Sequence, residues 1–272
     1  MKDKVIKLSN GVDIPVLGFG TYKMENGKEA FESISYALEV GYRHIDTAKI
    51  YENEETVGEA INKSGINREE IFLTTKVWNT DRGYDNTLKA FETSLKKLNT
   101  DYIDLYLIHW PKDLNVETWR ALERLYKENK VRAIGVSNFK EHHLEEIFKN
   151  CEITHMINQV EFHPELTQPE LREFCKSRNI VLEAWSPLMR GKIFSIDLLR
   201  ELSEIYTKTI PQIVLRWNIQ LGVVTIPKSV TKERIRENFD VFDFELSKEH
   251  MEKINSLNKN LRTSHDPDNI DF

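Results

Sequence analysis

Apolar and polar positions follow two rhythms that alternate along the chain. "VDIPVLGFGT" is a strand-like run, and "NGKEAFESISYALEVG" has the spacing of an amphipathic helix that stops at Gly41. The succession repeats as strand "YRHID" with helix "NEETVGEAINKSG", strand "IFLTTKVW" with helix "GYDNTLKAFETSLKKLN", and strand "DYIDLYLIHWP" with helix "VETWRALERLYKENK". It continues as "VRAIGVSNF" with "EHHLEEIFKN", and "MINQVEFHP" with "PELREFCKSRN". "IVLEAWSPL" is followed by helix-like pieces through Gln220, and "GVVTIPKS" precedes the last helix, "SKEHMEKINSLN". Repeated βα units require parallel strands and right-handed crossovers. Eight strands, each followed by helix, in a chain of 272 residues predict an α/β fold of the closed (β/α)₈ TIM-barrel type, with an open doubly wound sheet as the rival.

Ahead of the first unit, "VIKLSNGVDIPVL" reads as a β-hairpin turning at Asn10 and Gly11, placed to close the bottom of the barrel. No linker, low-complexity segment or strong repeat interrupts the pattern, so residues 1–272 are expected to form one domain.

Charge and composition narrow the function. A net charge of -6 and a pI near 5.8 favour neither nucleic acid nor an anionic membrane as a partner. The start "MKDKVIKLSN" lacks the apolar centre of a signal peptide, and no apolar run is long enough to span a bilayer. The two cysteines, Cys151 and Cys175, then read as reduced thiols in a cytoplasmic protein.

Barrel enzymes keep their chemistry at the C-terminal ends of the strands. Asp46, Lys76 and His109 end the second, third and fourth strands, and Tyr51 follows the second. Taken singly, each has a bland reading: a helix cap, a surface charge, a satisfied core histidine, a packed aromatic. Jointly they occupy equivalent barrel positions, and a lysine ending an apolar strand needs a countercharge that Asp46 can supply. A phenol beside an ammonium is a proton donor, and both groups stabilise a developing alkoxide. "GFG" at Gly18–Gly20 lacks the third glycine of a dinucleotide fingerprint. Lys228, Ser229, Thr231 and Arg234 gather two cations and two hydroxyls, which suits a phosphate monoester if the segment is more than a solvated helix start.

"GFGTYK", "HIDTAKIYENEETVG", "TTKVWN", "LIHWP", "GVSNF", "NQVEFHP", "AWSPL" and "IPKSVTKERIRENFDVFDFELS" resemble, in order, the signatures of the aldo-keto reductase family, from about Lys4 to Asn258. Within it the chain is similar to bacterial-type diketogluconate and glyoxal reductases. The resemblance implies an oxidoreductase that uses NADPH, without a metal, to reduce aldehydes and ketones to alcohols. Tyr51 would be the general acid, Lys76 would lower its pKa, Asp46 would hold Lys76, and His109 would orient the carbonyl. Gly20 and Thr21 would lie close to the cofactor, with Asp46 beside them. Ser137, Asn138 and Gln159 would meet the nicotinamide amide, and Trp185 would stack on the ring where the family usually has tyrosine.

Ser186, Leu188, Gly191 and Lys192 would follow the pyrophosphate. Lys228, Ser229, Thr231 and Arg234 would hold the adenosine 2'-phosphate, and Glu237 and Asn238 the adenine. Tyr22, Trp78 and Trp110 would line an apolar substrate mouth together with His109. A monomer is the family expectation. The polar tail from Lys259 to Phe272 is shorter than the C-terminal loops of some family members, which implies an open site. A lyase using Lys76 as a Schiff-base nucleophile would leave the segment Lys228–Arg234 unexplained. A non-catalytic NADPH sensor is the third reading.

Overall fold

The computed structural model describes residues 4–272. Met1–Asp3, part of the charged start read above for a signal peptide, lie outside the described residues. β1 (Val5–Lys7) and β2 (Asp13–Pro15) pair antiparallel with Ile6 opposite Ile14. Their turn carries Gly11 at φ 88, the left-handed region that glycine enters without strain. Asn10 Nδ2 donates to Arg132 O at 2.9 Å, at the N-terminal end of a barrel strand, so the hairpin covers the bottom as expected.

The barrel strands are β3 (Phe19–Gly20), β4 (His44–Asp46), β5 (Phe72–Val77), β6 (Ile103–Ile108), β7 (Val131–Ser137), β8 (Ile157–Glu161), β9 (Val181–Trp185) and β10 (Val224–Thr225). Among the described residues they form one eight-stranded parallel sheet in chain order. The two ends of the sheet meet: Leu17 bridges Thr225, and Gly18 N donates to Thr225 O at 2.9 Å. This closes the barrel and excludes the open sheet.

Outside it run α1 (Lys28–Val40), α2 (Glu54–Lys63), α3 (Tyr84–Leu98), α4 (Asn115–Lys127) and α5 (Glu141–Phe148). The second half carries α6 (Pro169–Ser177), α7 (Asp197–Tyr206), α8 (Ile210–Gln220), α9 (Lys232–Phe239) and α10 (Lys248–Asn255). β5 and β6 are buried along their whole length, as strands between a packed barrel interior and outer helices must be.

The run "VDIPVLGFGT" is two elements where the periodicity predicts one. Asp13–Pro15 belongs to the hairpin and only Phe19–Gly20 to the barrel. The chain changes sheets between them, and Gly18 makes this possible: a Cβ there would stand 2.6 Å from His44 Nδ1 and 2.8 Å from Ile226 Cγ2. Lys232–Phe239, read as the start of a charged helix, is a complete helix, α9.

Candidate active site

Parallel strands send alternate side chains into the barrel. That alternation brings Asp46 from β4 and Lys76 from β5 together at the C-terminal end, both buried. Lys76 Nζ donates to Asp46 Oδ1 at 2.6 Å, to Asp46 Oδ2 at 2.8 Å and to Thr47 O at 2.9 Å. A 3-10 turn, Lys49–Tyr51, carries Tyr51 back over the pair, with its ring centroid 5.1 Å from Lys76 Nζ. His109, just past β6, meets the Tyr51 ring edge-on at 5.6 Å. The four candidates converge at one mouth.

Burial holds the Tyr51 phenol well above its ordinary value of 10, and Asp46, Tyr22 and Glu183 push it the same way. The net direction is upward, although an ammonium at this distance by itself favours the phenolate. An ammonium has three N–H donors; all three are engaged by Asp46 and Thr47, so the nearby carboxylate offsets the positive charge. Burial also pushes the Asp46 carboxyl up, while Lys76 and Gln159 work against that push. His109 is held well below 6.5 by burial and by the charges of Lys76 and Arg82, so its imidazole is neutral at pH 7.

Ser137 and Trp185 end β7 and β9, Asn138 follows β7 and Gln159 lies midway along β8; the four are bonded to one another. Ser137 Oγ donates to Gln159 O at 2.8 Å. Asn138 Nδ2 donates to His109 O at 3.0 Å and Ser137 Oγ at 3.1 Å, and Asn138 Oδ1 accepts from Trp185 Nε1 at 2.8 Å. Gln159 Nε2 donates downward to Asp46 Oδ2 at 2.7 Å and to Glu183 Oε2 at 2.9 Å. What these groups have left to offer a ligand is therefore acceptor capacity, above all at Gln159 Oε1. Gly20 and Thr21 lie beside them. Thr21 N and Oγ1 both donate to Asp46 O, and Gly20 N donates to Pro227 O at 3.1 Å.

Further around the mouth, the loop after β9 holds Ser186 at φ 52 and Gly191 at φ 91, with Leu188 half-buried and Lys192 exposed. After β10, Lys228, Thr231 and Arg234 are exposed and Ser229 is buried. Ser229 Oγ accepts from Thr231 N at 3.1 Å, which shapes the start of α9. Among the described residues neither Lys228 nor Arg234 forms an ion pair. Glu237 accepts from Thr209 Oγ1 at 2.8 Å, and Asn238 is buried beside it.

The aromatic rim is more closed than the short tail implied. Tyr22 lies 5.0 Å from the Tyr51 ring, and Trp78 lies 5.1 Å from His109. Phe272 stacks on Trp78 at 5.6 Å and meets Trp110 edge-on at 5.4 Å. The tail is tied down along its way. Lys259 N and Leu261 N donate to Glu165 O, Thr263 N donates to Glu161 Oε1, and Lys140 pairs with Asp266 and Asp268. Sequence reading missed Phe272, because an aromatic at the end of a polar tail has no periodicity to place it. It also missed Thr47, Arg82 and Glu183, whose roles depend on neighbours distant in the chain.

The chain is similar to known proteins along nearly its whole length. A family model described as "Aldo/keto reductase family" matches residues 16–259. The glyoxal reductase of Bacillus subtilis (strain 168) is 58% identical over 273 residues, covering 100% of this chain and 99% of that protein. The crystal structure of MGS-M4, an aldo-keto reductase enzyme from a Medee basin deep-sea metagenome library, is 51% identical with a TM-score of 0.96, covering 98% of this chain and 100% of that one. A mutant of Gox0644 crystallised in complex with NADPH is 41% identical with a TM-score of 0.94, covering 98% of each chain.

Proposed function

The chain belongs to the aldo/keto reductase family, and on that footing we propose that it is an NADPH-dependent reductase of small aldehydes and ketones, with dicarbonyls such as glyoxal among its substrates. The observation that carries the reading is the buried Lys76–Asp46 pair set directly beneath Tyr51 and His109. The glyoxal reductase likeness supports the substrate class, and the NADPH complex of Gox0644 supports the cofactor.

The residues present fit that cofactor. Lys228 and Arg234 are cations free of carboxylate partners among the described residues, and they flank the start of α9, where backbone N–H groups also favour an anion. With Ser229 and Thr231 they would hold the 2'-phosphate. Glu237 and Asn238 would meet the adenine, and Ser186, Leu188, Gly191 and Lys192 the pyrophosphate. Gln159 Oε1 and the remaining lone pair of Asn138 Oδ1 would accept from the carboxamide, beside Ser137, Gly20 and Thr21. Trp185, its indole fixed by Asn138, would face the ring.

When bound, NADPH supplies the hydride. The chain supplies the proton and the field. Tyr51 keeps its phenol proton at neutral pH because burial opposes the phenolate. It would give that proton to the carbonyl oxygen as negative charge gathers there. The neutral His109 has one N–H, enough to orient the same oxygen. Lys76, anchored by Asp46, would stabilise the phenolate left behind. Tyr22, Trp78, Trp110 and Phe272 would exclude water from the mouth. A Schiff base on Lys76 is disfavoured, since its N–H donors hold a buried carboxylate.

The test is absorbance of NADPH in the presence of glyoxal and methylglyoxal. The reading expects consumption that depends on both cofactor and carbonyl. Binding of NADPH without consumption across a panel of aldehydes and ketones would overturn it.

A further inference from the structure

Glu183 lies on β9 in register with Gln159, inside the barrel and fully buried. Glu183 and Trp185 point to the same face of the strand, so the carboxyl sits one layer below the indole. Its Oε2 accepts from Gln159 Nε2 at 2.9 Å, and the other N–H of the same amide goes to Asp46 Oδ2 at 2.7 Å. The amide is thus held between two carboxyl groups: the Asp46 carboxylate demands its NH₂ side, and Glu183 Oε2 accepts from the same nitrogen. That leaves only one orientation for Gln159, with Oε1 turned away from the barrel interior.

The same cluster has a charge imbalance. The groups facing Glu183 are His44 and Asp46 from β4, Lys76 from β5 and, above them, Tyr51. Two carboxyls share one ammonium. Asp46 takes both of its oxygens to Lys76, so it is the carboxylate. A second buried negative charge would have no partner, and burial of an unpaired charge is the costlier outcome. Glu183 therefore carries a proton at rest. Its Oε1, which has no hydrogen-bond partner among the described residues, lies 3.5 Å from Nε2 of the neutral His44.

We propose that Glu183 is a positioning residue for the cofactor: it fixes the Gln159 amide, and its proton couples the pocket to the redox state of the nicotinamide. This rests on the reading of the site as an NADP(H) site. The oxidised ring is cationic and the reduced ring is neutral. A carboxylate one layer below the ring's stacking partner favours the cation; a neutral carboxylic acid does not. Binding of NADP⁺ therefore draws the proton off Glu183, and binding of NADPH leaves it in place. Burial and the neighbouring Asp46 charge push the Glu183 carboxyl up to about 8, within reach of ordinary buffers.

The experiment measures dissociation constants for NADP⁺ and NADPH by quenching of protein fluorescence from pH 6 to pH 10, on the wild-type chain and on Glu183→Gln. The ratio of the two constants cancels what both cofactors share, including the 2'-phosphate. In the wild type, NADP⁺ should gain on NADPH as pH rises, by roughly tenfold if the two complexes differ by about one unit in the proton affinity of Glu183. Glu183→Gln keeps an acceptor for Gln159 and should give a flat ratio. A flat ratio in the wild type overturns the proposal without any variant. The same slope in a folded Glu183→Gln also overturns it, by assigning the proton to another group. In both cases the two cofactors still bind, so the functional reading stands; if neither binds the wild type, that reading falls and takes this one with it.

Discussion

Lys76 clasps both oxygens of Asp46, at 2.6 and 2.8 Å, with neither side chain reached by solvent to more than 2%. The pair is the floor on which Tyr51 and His109 stand. A buried pair of this kind is weak grounds for stability as a pair, but removing one partner leaves the other charge stranded.

Lys76→Met should therefore cost stability as well as turnover. The expected loss is about 3–5 kcal/mol, the usual cost of breaking a buried ion pair. Urea unfolding measures it. A loss below about 1 kcal/mol would mean that Asp46 becomes neutral by taking up a proton, as a buried carboxyl without a countercharge can.

Tyr51→Phe leaves that pair intact and removes only the phenol oxygen. Cofactor binding should persist while turnover with an aldehyde falls by roughly 10²–10⁴-fold, the range for a lost general acid. NADPH absorbance and fluorescence titration read the two effects separately. A near-native rate would place the proton donor elsewhere.

Arg234→Ala tests the choice of cofactor. A hydrogen bond to a charged group contributes roughly 1.5–3 kcal/mol, or about one to two decades of affinity. NADPH should weaken by about that factor and NADH hardly at all, and the gap should narrow as salt rises, because Arg234 is exposed. Equal losses for both cofactors would show that Arg234 serves the adenine or the fold.

His155 sets a pH dependence of folding. It is buried between Trp119 and Phe148, and neither ring nitrogen has a hydrogen-bond partner among the described residues. Burial lowers it from 6.5 to about 4. As pH falls below 6.5 the unfolded chain takes up a proton that the folded chain refuses. Stability present above that pH is then lost towards pH 4, by up to about 1.4 kcal/mol per pH unit. His155→Leu should remove this share of the slope, while His44 and His109 keep theirs. Urea midpoints at pH 7.5 and pH 5 for both proteins decide it; an unchanged slope in the variant would assign the acid sensitivity to other groups.

The alternation of strand and helix, the barrel it implies and the convergence of Asp46, Lys76 and His109 were all legible along the chain. The reason is local. Periodicity places each strand, and the end of a parallel strand is where a barrel exposes polar side chains. Boundaries were less legible where the chain changes sheets, as at Gly18, because that break is set by the approach of His44 and Ile226.

Other features exist only once the barrel closes. Glu183 reads as one more residue in an apolar strand until β8 and β4 bring Gln159 and Asp46 against it. Lys76 reads as paired with Asp46 alone until Thr47 O is seen to take its third donor. Phe272 reads as the end of a polar tail until Trp78 lies under it. The chain alone placed Asp46, Lys76 and His109 at the mouth, since periodicity within each segment fixes where a strand ends. Tertiary contact alone decided how they are charged and oriented, since a buried proton or amide answers to every group within a few ångströms, and those groups come from strands far apart in sequence.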